Sequence, residues 1–200
     1  MESRIILASS SPRRIEMMKN IGIEPIVMAS AVEETLPFNV TMEQAVMFLA
    51  LKKALNVEKL LRQELTGQTL STVIIAADTI VYKDGMIGKP IDDNDAANTL
   101  KLLRNTSHFV ATGVALISPG SPKRSVFYDV TEVFFKDYRD DEILSYINTD
   151  EPWDKAGSYA IQGTWGKYVT HIIGNYDNVI GFPWGEIKTK LEKNWPEIAI

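Results

Sequence analysis

The sequence contains no cysteine. Disulfides, a thiolate nucleophile and cysteine-ligated zinc are therefore all excluded. Histidine is scarce: His108 and His171 are the only two, and neither belongs to an H-E-x-x-H pair. A histidine-built zinc centre has no ligand set to draw on. There is no G-x-S-x-G elbow for a serine hydrolase, and no Gly-rich Walker loop. No apolar run approaches the length of a membrane span, and the first residues lack the charged-then-apolar pattern of a secretion signal. A cytoplasmic protein with no membrane partner is expected. Net charge is −5, which argues against a general nucleic-acid-binding surface. Internal repeats, low-complexity tracts and linkers are also missing. The 200 residues thus read as a single domain, 1–200, which two closely packed lobes could equally form.

What is present is concentrated first in Ile5-Ile6-Leu7-Ala8-Ser9-Ser10-Ser11-Pro12-Arg13-Arg14. An apolar strand ends in three serines. Pro12 suits the first position of a helix, where its missing N–H costs nothing. Ser11 is expected as the N-cap, its hydroxyl accepting from an N–H one turn in. Ile15, Met18 and Ile21 would face the core, and Gly22 would end the helix. Helix N–H groups, hydroxyls and two guanidinium groups at one point suit a phosphate.

A second short strand is expected over 23–29, then a loop, 31–37, carrying the paired carboxylates Glu33 and Glu34. Thr41-Met42-Glu43-Gln44 is a capping box opening a helix from Met42 to Glu64, with Ala45, Phe48, Leu49 and Leu55 on its buried face. Of Lys52 and Lys53, one must lie towards the core. Residues 72–81 read as a central strand covered on both faces, and Asp78 interrupts it near its C-terminal end. A carboxylate there is costly unless paired or bound to metal. A turn at Lys83-Asp84-Gly85 suggests a hairpin that returns Lys89 towards Asp78. Beyond it, the pattern predicts a helix over 92–103, strands over 109–117 and 125–135, and a helix over 139–147. A Gly-containing loop over 156–163, a strand over 168–173, a loop or short strand over 175–181 and a final helix from Pro183 to Asn194 follow. Together these predict an α/β fold with a mixed, bent central sheet and two lobes around a central cleft.

Glu33, Glu34 and Asp78 stand against Arg13, Arg14, Lys53 and Lys89. Mg²⁺ is usually held by carboxylates together with substrate phosphates, and basic groups stabilise a transferring phosphoryl group. That combination points to metal-assisted cleavage of a phosphate ester or anhydride.

Several segments in order resemble the Maf family of nucleoside triphosphate pyrophosphatases. They are Leu7–Arg14, Ala77-Asp78-Thr79-Ile80-Val81, Gly88-Lys89-Pro90, Thr112-Gly113-Val114 and Ile161-Gln162-Gly163, extended by Asp150-Glu151-Pro152, by Asp154-Lys155-Ala156-Gly157 and by Asn178–Pro183. The stretch Leu103–His108 departs from the family, which usually has a serine-glycine pair there. The resemblance implies hydrolysis of a nucleoside triphosphate to its monophosphate and pyrophosphate with a divalent cation, Mg²⁺ or Mn²⁺. It implies Asp78 as proton acceptor, Glu34 as metal ligand, and Arg14, Lys53 and Lys89 as phosphate contacts; Asp78 is expected to share the metal, and Ser9, in the serine loop, the phosphates. Arg13, Thr79 and Gln162 match the positions that separate substrate branches, in the combination of the dTTP/UTP branch. The resemblance further implies an elongated two-lobed fold like that of inosine triphosphate pyrophosphatases; its members are often dimers, which makes a homodimer possible here. Two alternatives stay open: a purine or 7-methyl-GTP pyrophosphatase, and a nucleotide-binding regulator of septum formation. Trp165, close to Gln162, could stack on a base or serve packing.

Overall fold

The computed structural model describes residues 3–36, 39–64, 71–198 and 200; Pro37, the end of the expected acidic loop, lies outside them. Strand β1 (Ser3–Leu7) leads into helix α1 (Pro12–Asn20), strand β2 (Ile26–Val27) and the long helix α2 (Met42–Glu64). Strand β3 (Ser71–Tyr82) turns back as β4 (Met86–Ile87), and α3 (Asp93–Leu103) connects to β5 (Ser107–Ile117) and β6 (Arg124–Phe135). Helix α4 (Asp140–Ile147), two 3₁₀ turns, β7 (Val169–Ile173), α5 (Tyr176–Ile180) and α6 (Trp184–Asn194) follow.

The seven strands form one mixed, open sheet in the order β2-β1-β3-β5-β6-β7, with β4 attached to β3. β1 runs parallel to both β2 and β3, while β4 is antiparallel to β3 and β7 to β6. The expected α/β class is therefore present, with β3 inside the sheet. The chain divides into two compact units. The first comprises Met1–Asp78, Thr112–Tyr128 and Gly181–Ile200; the second comprises Thr79–Ala111 and Asp129–Ile180. Strands β3, β5 and β6 contribute residues to both.

In the first unit, strand alternation sorts the side chains into two layers. Ile5, Leu7, Val73, Ile75, Ala77, Val114 and Leu116 share a core with Met18 of α1 and with Ile187 and Leu191 of α6. Ile6, Ala8, Ile74, Ala76, Ala115 and Ile117 face the other way, against Ala50, Ala54, Val57 and Leu61 of α2. The second layer is rich in alanine, so α2 approaches the strands closely. At Gly113 a Cβ would lie 2.2 Å from the carbonyl carbon and oxygen of Val46. The second unit has a core of its own around aromatic rings: Phe135, Tyr138, Tyr146, Tyr159, Trp165 and Tyr168.

Several local expectations need correction. Ser11 occupies the N-cap position of α1 without a side-chain cap; its own N–H donates to Ser9 Oγ (3.2 Å). Ile21 is exposed, because the chain leaves the helix there through Gly22 (φ +82°), whose N–H returns to the carbonyl of Lys19 while that of Ile23 returns to Met18. The strand expected over 23–29 pairs only at Ile26–Val27. Along α2 the capping box is formed, with Thr41 N–H on Gln44 Oε1 and Gln44 N–H on Thr41 Oγ1. Ala45 and Leu49 are buried, but Phe48 and Leu55 are exposed, and the sheet-facing stripe runs through Ala50, Ala54 and Val57. Residues 176–180 are a helix rather than a loop or strand, because the Asn175 side chain accepts from the Asp177 N–H as an N-cap.

The contact at Gly113 generates a prediction. Gly113→Ala should lower stability by roughly 2 kcal/mol or more, as overpacking against rigid backbone does. Gly85→Ala, where a Cβ meets nothing within 4 Å, should change it little. Urea unfolding midpoints of the two variants check the contrast.

Candidate active site

The serine loop between β1 and α1 is organised by Arg14. Its Nη1 donates to Ser9 Oγ (3.1 Å) and to the Ala77 carbonyl (2.9 Å), and its Nε donates to the Gly181 carbonyl (2.9 Å). One guanidinium thus ties the loop, the middle of β3 and the turn before α6 together. Burial pushes the pKa of Arg14 down to about 10, and neighbouring Arg13 adds to this, while Asp78 and Glu34 oppose it. Arg14 remains a cation at neutral pH.

Asp78 is buried, and alternation puts it on the α2 face of β3 with Ile74 and Ala76. Lys53 lies on the stripe of α2 that faces this layer, three residues after Ala50. It is the core-side lysine of the tandem pair. Its ammonium donates to Asp78 Oδ1 (2.5 Å) and lies 2.6 Å from Glu34 Oε1. The side chains of Lys53 and Asp78 are 13% and 8% exposed, that of Glu34 48%. The two carboxylates therefore converge on one positive centre. Ser9, Arg14, Glu34, Lys53 and Asp78 are all brought together within the first unit, and Arg13, in the first turn of α1, lies next to Arg14. With three cations and two carboxylates, Arg13, Arg14, Lys53, Glu34 and Asp78 carry a formal charge of +1, which favours an anionic ligand.

The loop that carries Glu34 is held by contacts that sequence reasoning missed. Lys52 Nζ donates to the Glu33 carbonyl (2.7 Å) and Thr35 Oγ1 (3.4 Å), and Ser30 Oγ donates to Asn56 Oδ1 (3.2 Å). The available signal was the spacing of Lys52 and Asn56, one turn apart on the same side of a helix.

The remaining expected residues belong to the second unit. Thr79 follows Asp78 in β3 and is half-buried; Lys89, beyond the β3–β4 hairpin, and Gln162, between the 3₁₀ turns, are exposed. Trp165 is 2% exposed and packs edge-on to Tyr138 with ring centroids 4.8 Å apart, so its role is packing. His108 is buried with Nε2 2.7 Å from Tyr159 Oη. Burial, helped by Lys83, pushes its pKa down to about 3, leaving it neutral across the physiological range.

Among the described residues no group of three or more acidic, histidine or cysteine side chains could hold a metal ion. Two carboxylates already gathered around an ammonium nevertheless fit a divalent cation whose remaining ligands come from substrate phosphates, the usual arrangement for Mg²⁺.

A family model described as Maf-like protein matches residues 4–194. A dTTP/UTP pyrophosphatase of Caldicellulosiruptor bescii is 42% identical over 191 residues, covering 95% of this chain and 94% of its own. A dTTP/UTP pyrophosphatase of Acetivibrio thermocellus is 39% identical over 189 residues, covering 94% of each chain. The solved structure of the Staphylococcus aureus Ham1 protein superposes with a TM-score of 0.50 over 95% of this chain and 98% of its own. At 14% identity that likeness concerns the fold alone. The relatives match nearly from end to end, and the family model spans the β1–α1 loop, Asp78 and Gln162 alike: the chain belongs to the Maf-like protein family.

Proposed function

We propose that the protein hydrolyses dTTP, UTP and modified pyrimidine nucleotides to the monophosphate and pyrophosphate, clearing them from the nucleotide pool of the cytoplasm. The observation that carries this reading is the Glu34–Lys53–Asp78 cluster beside Arg13 and Arg14, acidic and basic groups in one place. Relatives about two-fifths identical that bear the name dTTP/UTP pyrophosphatase support the substrate class. No helix among the described residues is long and apolar enough to cross a membrane.

Glu34 and Asp78 would hold the divalent cation, Mg²⁺ or Mn²⁺, with the substrate phosphates. When bound, that cation supplies Lewis-acid polarisation of the phosphoryl group under attack. Asp78 takes the proton from the water attacking the α-phosphorus. Arg14 holds the carbonyl of Ala77, the residue before Asp78, so the carboxylate starts from a fixed backbone. Lys53, Arg14 and Lys89 balance charge developing on the pyrophosphate, and Ser9 donates to a phosphate oxygen. Lys53 can hold both carboxylates before substrate arrives and turn to phosphate afterwards. Arg13, Thr79 and Gln162 read the base. Thymine and uracil share an edge of two carbonyl acceptors flanking an N–H donor, which a glutamine amide and arginine donors match.

Three outcomes are expected. Purified protein given dTTP or UTP releases pyrophosphate, and EDTA abolishes the release; sequential release of orthophosphate would rule out attack at the α-phosphorus. Asp78→Asn lowers turnover by at least roughly 10²-fold, the low end for a general base. Mg²⁺ titrated to saturation does not restore it; full recovery would make Asp78 a ligand only. The triple change Arg13→Tyr, Thr79→Gln, Gln162→Glu shifts the kcat/KM ratio from dTTP and UTP towards 7-methyl-GTP, since a site built on hydrogen bonds rejects ligands that leave them unmade. Equal loss on all three nucleotides would show that these residues do not read the base.

A further inference from the structure

We infer that Lys52 is a positioning residue for Glu34, an inference that rests on the metal-dependent reading above. Glu34 sits on a segment without regular secondary structure, and its side chain is about half exposed. A carboxylate so placed is a poor ligand unless its backbone is restrained, because every conformation it can adopt in solution must be given up on binding. The restraint comes from one turn of α2. Lys52 Nζ donates to Glu33 and to Thr35, the residues on either side of Glu34. Lys53, the next residue, takes the Glu34 carboxylate itself. Asn56, one turn further along, accepts from Ser30 at the start of the segment.

Lys52 is itself steadied. Its ammonium lies 5.8 Å from the ring centroid of Phe48, one turn earlier. That contact accounts for Phe48, an aromatic ring on the exposed side of a helix whose buried stripe runs elsewhere. An aromatic face attracts a cation and limits where the lysine head can go. The helix beneath is fixed by the Thr41–Gln44 capping box and by packing on the sheet through Ala50, Ala54 and Val57. Phe48, Lys52 and Asn56 thus form a single ridge along α2 at i, i+4, i+8. The tandem lysines divide the work: Lys53 meets the acidic group, and Lys52 fixes the peptide that carries it.

The test compares Lys52→Met and Lys52→Arg with the unchanged protein. Mn²⁺ bound in the presence of a non-hydrolysable dTTP analogue, counted by electron paramagnetic resonance, should weaken about tenfold in Lys52→Met, the lower bound when a group orienting a metal ligand is lost. The metal concentration for half-maximal pyrophosphate release should rise in step, with kcat at saturating metal within about twofold. Lys52→Arg should recover most of both. Amide hydrogen exchange at Glu33–Thr35 should quicken in Lys52→Met while the unfolding midpoint stays put. Unaltered exchange overturns the inference whatever the protein hydrolyses. So does a loss of kcat that saturating metal leaves in place, or an unchanged metal requirement in an active enzyme. If the unchanged protein releases no pyrophosphate from any nucleotide, the pyrophosphatase reading fails separately, and the exchange measurement still decides whether Lys52 holds the loop.

Discussion

A buried carboxylate in a central strand has to be compensated, and the first unit is arranged around that requirement. Asp78 gives up most of its hydration in the interior of β3 and recovers it from the ammonium of Lys53. Removing one partner from such a pair typically costs about 3–5 kcal/mol, because the other charge is stranded. The pairing therefore sets conditions on much of the surrounding structure. Helix α2 must approach the sheet closely enough for a lysine to reach, which explains alanine on both sides of that layer and glycine at 113. The Glu34 loop must reach the same ammonium, and it does so under restraint from the same helix.

This economy of contacts suits a site that handles polyanions. A lysine shared between two carboxylates is a cation held in reserve. In the proposed reaction its partners would pass to the metal as it turned to phosphate, which would leave no unpaired charge buried at either stage. Arg14 plays the complementary part. It is committed to two backbone carbonyls and a serine hydroxyl, and its charge is held beside Arg13, so the potential at the head of α1 stays positive.

Much of this was legible in the sequence. The period-two alternation of β3 assigns Asp78 to the same face as Ile74 and Ala76. The cost of an acidic group there is apparent before any partner is known. The capping box and the extent of α2 could be read directly. The phase of α2 could not: Phe48 and Leu55 are as apolar as the residues that are buried, and only the alanine stripe marks the packed side. Contacts to backbone carbonyls were invisible for a different reason. The carbonyls of Ala77, Gly181 and Glu33 leave no trace in side-chain pattern, so neither the full role of Arg14 nor that of Lys52 was accessible. Thr79, Lys89 and Gln162 rest on family resemblance, since nothing in their local pattern distinguishes them from ordinary strand, turn and loop residues.

The hydrogen bond from Arg14 to Gly181 spans 167 positions of sequence. Its far partner opens the segment that also lays Phe182, Ile187, Leu191 and Trp195 into the core beside β1 and β3. On a ribosome, the serine loop and Asp78 are made early, yet the carbonyl that locks Arg14 emerges only after all of residues 79–180. The nascent chain therefore carries Arg14 without its final fastening for most of its synthesis. A contact of such sequence separation closes only after its loop entropy has been met, so the serine loop cannot take its final form before the last helix is available.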